Sequence, residues 1–169
     1  MIGNDIVDLV LAKKESNWQR KGFLNKIFTT KEQLLITAAE NQEVMVWNLW
    51  TRKEAGYKIY NRQTSIRGYF PLQLECHYES ETTGTVYCNG NKYHTETKIS
   101  KDSIYTIAVA EKDYFRQLRN LNTDVKLCKN NGIPFIIDDL TKIEIPVSIT
   151  HHGRFWKGIT LGFNTPNII

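Results

Sequence analysis

The sequence predicts an α+β fold in which an antiparallel sheet packs against a long helix. Apolar residues recur at helical spacing over much of 10–62, and they alternate with polar residues over much of 70–163. This order, helices first and strands later, is typical of the α+β class. The chain has 169 residues, of which 41% are hydrophobic, enough for one domain with its own core.

The first strand is predicted at residues 2–8. Its alternation places Asp5 among apolar neighbours, where a carboxylate is unfavourable unless a cation meets it. Asp5 is therefore the first candidate functional residue. Residues 10–27 predict one or two short helices, and Thr29 and Glu32 have the spacing of a capping box that begins another.

A long helix is predicted over residues 42–62. Its stripe begins apolar at Trp47 and Trp50 and becomes charged at Glu54 and Lys58. This change of polarity predicts that the far end of the helix faces a cleft. The alternative is an ordinary solvent-exposed ion pair, because Glu54 and Lys58 are four residues apart.

The chain beyond Arg67 is predicted to form mainly strands. They are placed at 70–78, 84–88, 92–99, 103–110, 135–137, 143–150 and 154–163, with one helix at 112–121. Asn89-Gly90 predicts a hairpin turn between the second and third of these strands. In the strand that ends at Thr150, the isoleucines and Val147 are expected on the inner face. No internal repeat is visible.

Composition excludes several classes of protein. No apolar run reaches the roughly 18 residues of a membrane-spanning helix, and the first residues lack the basic start of a secretory signal. Three cysteines without CxxC spacing indicate reduced thiols and a cytoplasmic location. The net charge of +4 is not clustered, so it suits an anionic ligand or an acidic partner protein and does not indicate nucleic-acid binding.

Four short segments stand out by their order along the chain. They are Gly3-Asn4-Asp5-Ile6-Val7, Phe28-Thr29-x-x-Glu32, Trp50-x-x-Lys53-Glu54-Ala55-x-x-Lys58, and Ser148-x-Thr150-His151. Together they resemble the motifs of the 4′-phosphopantetheinyl transferase superfamily, in the order of its small group typified by holo-acyl-carrier-protein synthase. The resemblance implies that fold as a single domain over 1–169, with residues 68–127 as a β-rich insert that the minimal family lacks.

The resemblance implies an enzyme that transfers 4′-phosphopantetheine from coenzyme A to a serine of an apo carrier protein and releases 3′,5′-ADP. Asp5 and Glu54 would bind Mg²⁺, which prefers hard oxygen ligands. Lys58 would add a positive charge beside the diphosphate. Glu54, acting directly or through a water on the metal, is the implied general base, and Asp8 is the second candidate.

Other residues are implied in binding coenzyme A. His151 would contact the 3′-phosphate, with Thr150 and Arg154 near the nucleotide; whether His151 or His152 does so is open. Lys53 is either another coenzyme A ligand or a surface charge. Asn4, where the family usually has an apolar residue, is expected to have little effect.

The small group shares its sites between subunits, so a homo-oligomer is expected, with a trimer favoured. The partner would be an acidic carrier protein of fatty-acid, polyketide or related synthesis, steered by basic residues on the early helices. These residues are Lys13, Lys14, Arg20, Lys21 and Lys26. The main alternative is a catalytically degenerate relative that binds coenzyme A or only assembles with partners.

Overall fold

The computed structural model describes residues 1–162, which contain four α-helices and ten strands. The helices are α1 (Leu9–Glu15), α2 (Phe23–Ile27), α3 (Thr30–Ala38) and α4 (Gln42–Thr64). The first five strands are β1 (Ile2–Asp8), β2 (Glu75–Tyr78), β3 (Thr83–Cys88), β4 (Asn91–Ile99) and β5 (Ser103–Val109). The other five are β6 (Leu118–Leu121), β7 (Cys128–Asn130), β8 (Ile133–Ile137), β9 (Glu144–His152) and β10 (Phe155–Leu161).

The strands form two five-stranded antiparallel sheets that repeat one topology. The strand order is β1-β5-β4-β3-β2 in the first sheet and β6-β10-β9-β8-β7 in the second. In each sheet, the strand that comes first along the chain pairs with the strand that comes last. The remaining strands follow in reverse chain order. The first sheet has all four helices between its first two strands, whereas the second has only residues 122–127 there.

Helix α4 packs across the first sheet and forms the main core with it. Its apolar side chains meet those of β3, β4 and β5; the buried members include Trp47, Leu49, Ile59, Val86, Tyr93, Ile104 and Ala108. Gly3 allows the close crossing of β1 and α4, because a Cβ there would collide with the carbonyl oxygen of Ala55. None of the helices in 1–162 combines the length and apolar character required to cross a membrane.

The capping box of α3 belongs to a buried ion pair. Thr29 and Glu32 make the two reciprocal bonds of the box. The second carboxylate oxygen of Glu32 accepts a bond from the backbone N–H of Cys76 (2.7 Å). Lys53 Nζ lies 2.7 Å from Glu32, and neither side chain has any exposed surface. Because every polar atom of the pair has a partner, the pair joins α3, α4 and the start of β2.

The two sheets meet where β1 runs beside β9. The backbone N–H groups of Asn4, Ile6 and Asp8 point away from the first sheet. They donate to Ser148 Oγ (3.0 Å), Thr150 Oγ1 (3.3 Å) and His152 Nδ1 (2.9 Å), each 144 residues further along the chain. Side chains of β9 therefore satisfy the free edge of β1, and the constant separation means that the two strands run in the same direction.

The Asn4 side chain holds this junction together, contrary to the expectation that Asn at this position has little effect on the protein. It is fully buried, and its Oδ1 accepts a bond from Ser148 Oγ (2.7 Å). Its Nδ2 donates to Tyr105 Oη (3.1 Å) and to the Lys157 carbonyl (3.3 Å). Asn4 thus bonds to both sheets.

Most predicted elements are confirmed, with three differences. Pro71–Gln73 form a short 3-10 helix, so the strand expected from residue 70 begins at Glu75. The helix expected at 112–121 is a 3-10 helix at Lys112–Gln117 followed by β6. In β9 Val147 is buried as predicted, but Ser148 and Thr150 are buried as well, because β9 faces the edge of β1, and Ile143 is exposed just before the strand.

We predict that Asn4→Ala lowers the free energy of unfolding by about 1–3 kcal/mol, because it leaves buried polar partners unsatisfied. Urea denaturation followed by circular dichroism measures this change. Asn25→Ala, at an exposed position of α2, serves as the control and should change stability little. Equal effects of the two substitutions would contradict the role given to Asn4.

Candidate functional site

Asp5 lies at the centre of β1, at the junction with β9. Its side chain is only 13% exposed, and Oδ1 lies 3.3 Å from Lys58 Nζ. The same oxygen accepts a hydrogen bond from Thr150 Oγ1 (2.9 Å). Burial raises the pKa of Asp5, and the Lys58 charge and the Thr150 bond oppose that rise only in part. A further positive charge near Asp5 would therefore stabilise the ionised form of its carboxylate.

Glu54 faces the same point from α4. Burial, and secondly the negative charge of Asp5, raise the pKa of Glu54 to about 7. In the part of the chain that the structure describes, no cation forms a salt bridge with Glu54; Lys58 pairs with Asp5 instead. Two neighbouring carboxylates thus have a single lysine nearby, and it pairs with only one of them.

Lys58 joins helix α4 to both strands of the junction. Its Nζ contacts the Asn4 carbonyl (2.6 Å), Asp5 Oδ1 (3.3 Å) and the Ile149 carbonyl (3.3 Å). An ammonium group has three N–H donors, so these contacts occupy all of them. The side chain nevertheless keeps 30% of its surface exposed, which leaves it open to a ligand on one side.

Arg62 repeats this arrangement one helical turn later. Its Nη2 donates to the carbonyl oxygens of Val147 (2.6 Å) and Pro134 (3.1 Å). Arg62 was not among the predicted site residues, although it continues the charged stripe of Glu54 and Lys58 at the same four-residue step. Extending the stripe to the end of the helix would have found it.

A groove begins at Lys58 and follows α4 towards its C-terminal end. It consists of two adjoining cavities of about 180 and 550 Å³, which share Asn61, Arg62, Ile133 and Pro134. Lys129 and Arg67 also line it, and Glu144 is the only acidic residue among the described lining residues. The groove is therefore suited to an anionic ligand that extends away from Asp5 and Glu54.

The two histidines of β9 point in opposite directions. His152 accepts the bond from the backbone of Asp8, whereas His151 is exposed and makes no hydrogen bond with the described residues. His151 also shares a face of β9 with Ile149, which lines the groove. Of the two alternatives, His151 is the one that is free to meet a ligand.

Asp8 and Arg154 bind each other. Arg154 donates through Nε (2.9 Å), Nη2 (3.0 Å) and its backbone N–H (3.1 Å) to the Asp8 carboxylate. The same carboxylate accepts from the first N–H groups of α1 and caps that helix. The Arg154 bonds hold the pKa of Asp8 far below its usual range. Asp8 is therefore unsuited to act as a general base, which was its second-candidate role.

Lys53 requires a correction. Its side chain has no exposed surface; besides Glu32, it bonds to the carbonyl oxygens of Pro71 and Leu74, each at 2.7 Å. Both interpretations of Lys53, as a coenzyme A ligand and as a surface charge, are therefore wrong. Local sequence spacing cannot distinguish a buried cation from an exposed one when its partner is distant along the chain.

Comparison with protein families gives a match over residues 1–115, which is more than half of the chain. The chain belongs to the 4′-phosphopantetheinyl transferase superfamily. This confirms the predicted family and the predicted class of enzyme. The matched residues include Asp5, Glu54 and Lys58, and they extend into the segment expected to be an insert. Residues 147–151 lie outside them.

Two solved structures share the fold of this superfamily member. A holo-[acyl-carrier-protein] synthase from Neisseria meningitidis is 22% identical, with a TM-score of 0.51 over 66% of this chain and 97% of that chain. The Helicobacter pylori synthase, solved in complex with coenzyme A, is 15% identical, with a TM-score of 0.52 over 64% and 98%. These similarities confirm the predicted fold. A search of curated proteins finds no significant match.

Two of the segments singled out in the sequence, one in β1 and one in β9, meet within one chain. Thr150, in the segment expected to face a neighbouring subunit, bonds directly to Asp5 of its own chain. An oligomer was expected because sites of the small group are shared between subunits. The contact between Thr150 and Asp5 needs no second subunit. The trimer itself stays a prediction, as does the division of the chain into a minimal domain and an insert.

We predict that Glu54→Gln stabilises the metal-free chain at high pH. The pKa of Glu54 rises from 4.5 to about 7 on folding, so the folded chain binds more protons than the unfolded chain between these values. The free energy of unfolding of the wild type should therefore fall as the pH rises through this range. Above pH 7 the variant should be more stable by on the order of 2 kcal/mol, with little difference near pH 4.

Urea denaturation at several pH values, without divalent cations, measures the difference between variant and wild type. Glu40→Gln, at an exposed position, is the matched control and should show no such dependence. A Glu54→Gln difference that stays constant with pH would contradict the assignment.

Proposed function

We propose that this chain transfers 4′-phosphopantetheine from coenzyme A to a serine of an apo carrier protein, in a Mg²⁺-dependent reaction that releases 3′,5′-ADP. The observation that carries the proposal is the convergence of Asp5, Glu54 and Lys58 at one point of a superfamily member. Two carboxylates that repel each other beside one lysine suit a divalent cation and a diphosphate.

The donor set fits Mg²⁺. Residues 1–162 contain no group of three or more His, Cys, Asp or Glu side chains that could hold a metal. Mg²⁺ commonly takes only one or two protein carboxylates, with waters and substrate phosphates as the other ligands. Asp5 and Glu54 would hold the ion. When bound, it would neutralise negative charge on the diphosphate.

Glu54 is proposed as the general base. The serine oxygen forms a bond to the β-phosphorus of coenzyme A, and the bond from that phosphorus to the 3′,5′-ADP oxygen breaks. The serine proton passes to the Glu54 carboxylate. Its position supports this role, because Glu54 lies partly buried beside Asp5, where the diphosphate is proposed to bind.

Coenzyme A is proposed to bind with its diphosphate beside Lys58 and its nucleotide in the groove. Arg62 and Lys129 supply positive charge there, and His151 is proposed to meet the 3′-phosphate. Thr150 and Arg154 are proposed to lie near the nucleotide. Their observed bonds to Asp5 and Asp8 give them a positioning role as well.

The carrier protein is proposed to approach the first helices. The five basic residues at 13, 14, 20, 21 and 26 are all exposed, so they attract an acidic carrier and speed its association.

A single chain is proposed to form a complete site, because β9 meets β1 without a second subunit. A cytoplasmic location also belongs to this proposal.

We expect Glu54→Gln to lower the transfer rate at least 100-fold, because it removes the base and one metal ligand. Asp5→Asn should raise the Mg²⁺ concentration needed for half-maximal rate at least tenfold. The assay combines the protein with Mg²⁺, coenzyme A and an apo carrier, and mass spectrometry measures the gain of phosphopantetheine.

Glu40→Gln and Asp124→Asn, at exposed positions, are the matched controls and should keep the wild-type rate. A Glu54→Gln protein with full activity would remove Glu54 from the mechanism. If the wild type binds coenzyme A without transfer to any apo carrier, the degenerate binding protein becomes the better description.

We also expect that two different site variants do not restore each other's activity. Glu54→Gln and His151→Ala chains would be co-refolded and assayed as a mixture, and light scattering would give the mass of the assembly. If each site forms within one chain, the mixture has the mean activity of its components. Activity well above that mean would show that sites combine residues of two subunits.

A further inference from the structure

The segment that follows α4 turns back over the helix and is held at both ends. The backbone N–H of Gly68 donates to Tyr57 Oη (3.2 Å). Lys53 Nζ donates to the Pro71 and Leu74 carbonyl oxygens, both at 2.7 Å. Tyr69 lies between these anchors, so its backbone is tied to α4 on either side.

The ring of Tyr69 covers the part of α4 that carries Glu54. It packs edge-on against Trp50 (centroids 5.7 Å apart) and Tyr57 (5.4 Å). These residues are four positions before and three positions after Glu54, so all three lie on one face of the helix. The ring therefore lies on the face of α4 that carries Glu54.

The hydroxyl of Tyr69 is buried and forms no hydrogen bond of normal geometry with the described residues. A buried hydroxyl without a partner is unfavourable. Glu54 is the acidic group beside it: burial, and secondly the Glu54 charge, raise the pKa of the Tyr69 hydroxyl, and the Tyr69 side chain is among the groups that lower the pKa of Glu54. The phenol thus keeps its proton beside the carboxylate.

We propose that Tyr69 is a positioning residue whose hydroxyl donates a hydrogen bond to the Glu54 carboxylate and orients it towards the metal. This inference rests on the proposed function. Carboxylates that bind metals are usually held by a second hydrogen-bond partner, and loss of that partner typically costs 10–100-fold in metal affinity or activity. The buried Lys53–Glu32 pair then has a purpose at the site, because it anchors the segment that carries Tyr69.

Tyr69→Phe tests the proposal, because it removes only the hydroxyl and keeps the ring packing. Mn²⁺, which also binds carboxylate oxygens, is titrated with coenzyme A present and followed by electron paramagnetic resonance. We expect Mn²⁺ affinity and kcat to fall about tenfold or more, while KM for the carrier stays within about twofold because Tyr69 does not contact the carrier.

Tyr60→Phe is the matched control. It removes a hydroxyl from helix α4, one that accepts a bond from Asn89 Nδ2 (2.8 Å) and does not take part in the site. All titrations are made well below the melting temperatures of both variants, so loss of folded protein does not enter. Tyr60→Phe should keep wild-type Mn²⁺ affinity and kcat.

Wild-type Mn²⁺ affinity and kcat in Tyr69→Phe would overturn the positioning role while leaving the proposed function intact. A wild-type chain that binds no Mn²⁺ with coenzyme A would overturn the metal-dependent function, and this inference with it. The direct metal titration distinguishes the two failures without depending on the choice of carrier.

Discussion

The free edge of β1 is the constraint on which the rest of the site depends. A buried strand edge must have hydrogen-bond partners, and here they are side chains of β9 rather than another backbone. Hydroxyl groups can accept and donate at once. Ser148 and Thr150 accept from β1 N–H groups and donate to the side chains of Asn4 and Asp5. The contacts that dock the two sheets therefore also orient the carboxylate of Asp5.

Helix α4 completes this arrangement with charge. Lys58 and Arg62 donate to carbonyl oxygens of β9, so the cations that hold the second sheet against the helix also border the groove. Glu54, one turn earlier, is partly buried beside Asp5 and pairs with none of the described cations. Lys58 and Arg62 thus hold the junction mainly through backbone carbonyl oxygens. Two carboxylates beside one lysine leave unbalanced negative charge at one point, which matches the metal and diphosphate chemistry proposed for this superfamily member.

Local patterns in the sequence predicted β1, α4 and the Asn89-Gly90 hairpin, because each depends on neighbouring residues. They also predicted Asp5, Glu54 and Lys58, whose charges interrupt apolar patterns. The burial of Lys53 could not be predicted, because its partner Glu32 lies on another helix and residue spacing does not show which side chains are buried. The inner face of β9 was predicted only in part for a similar reason: Val147 is buried as expected, but Ser148 and Thr150 are also inside because of a strand 144 residues away. The repeated topology of the two sheets could not be predicted, because the spacing of apolar residues does not show which strands pair.

The separation between β1 and β9 has a consequence for synthesis of the protein. β1 leaves the ribosome long before β9, and its open edge lacks its full set of partners until residue 152 has emerged. During that interval the nascent chain presents backbone donors that another strand can bind, which is a hazard for aggregation. Assembly of the site therefore has to wait for β9, and a product truncated before β9 would contain Asp5, Glu54 and Lys58 without the strand that aligns them.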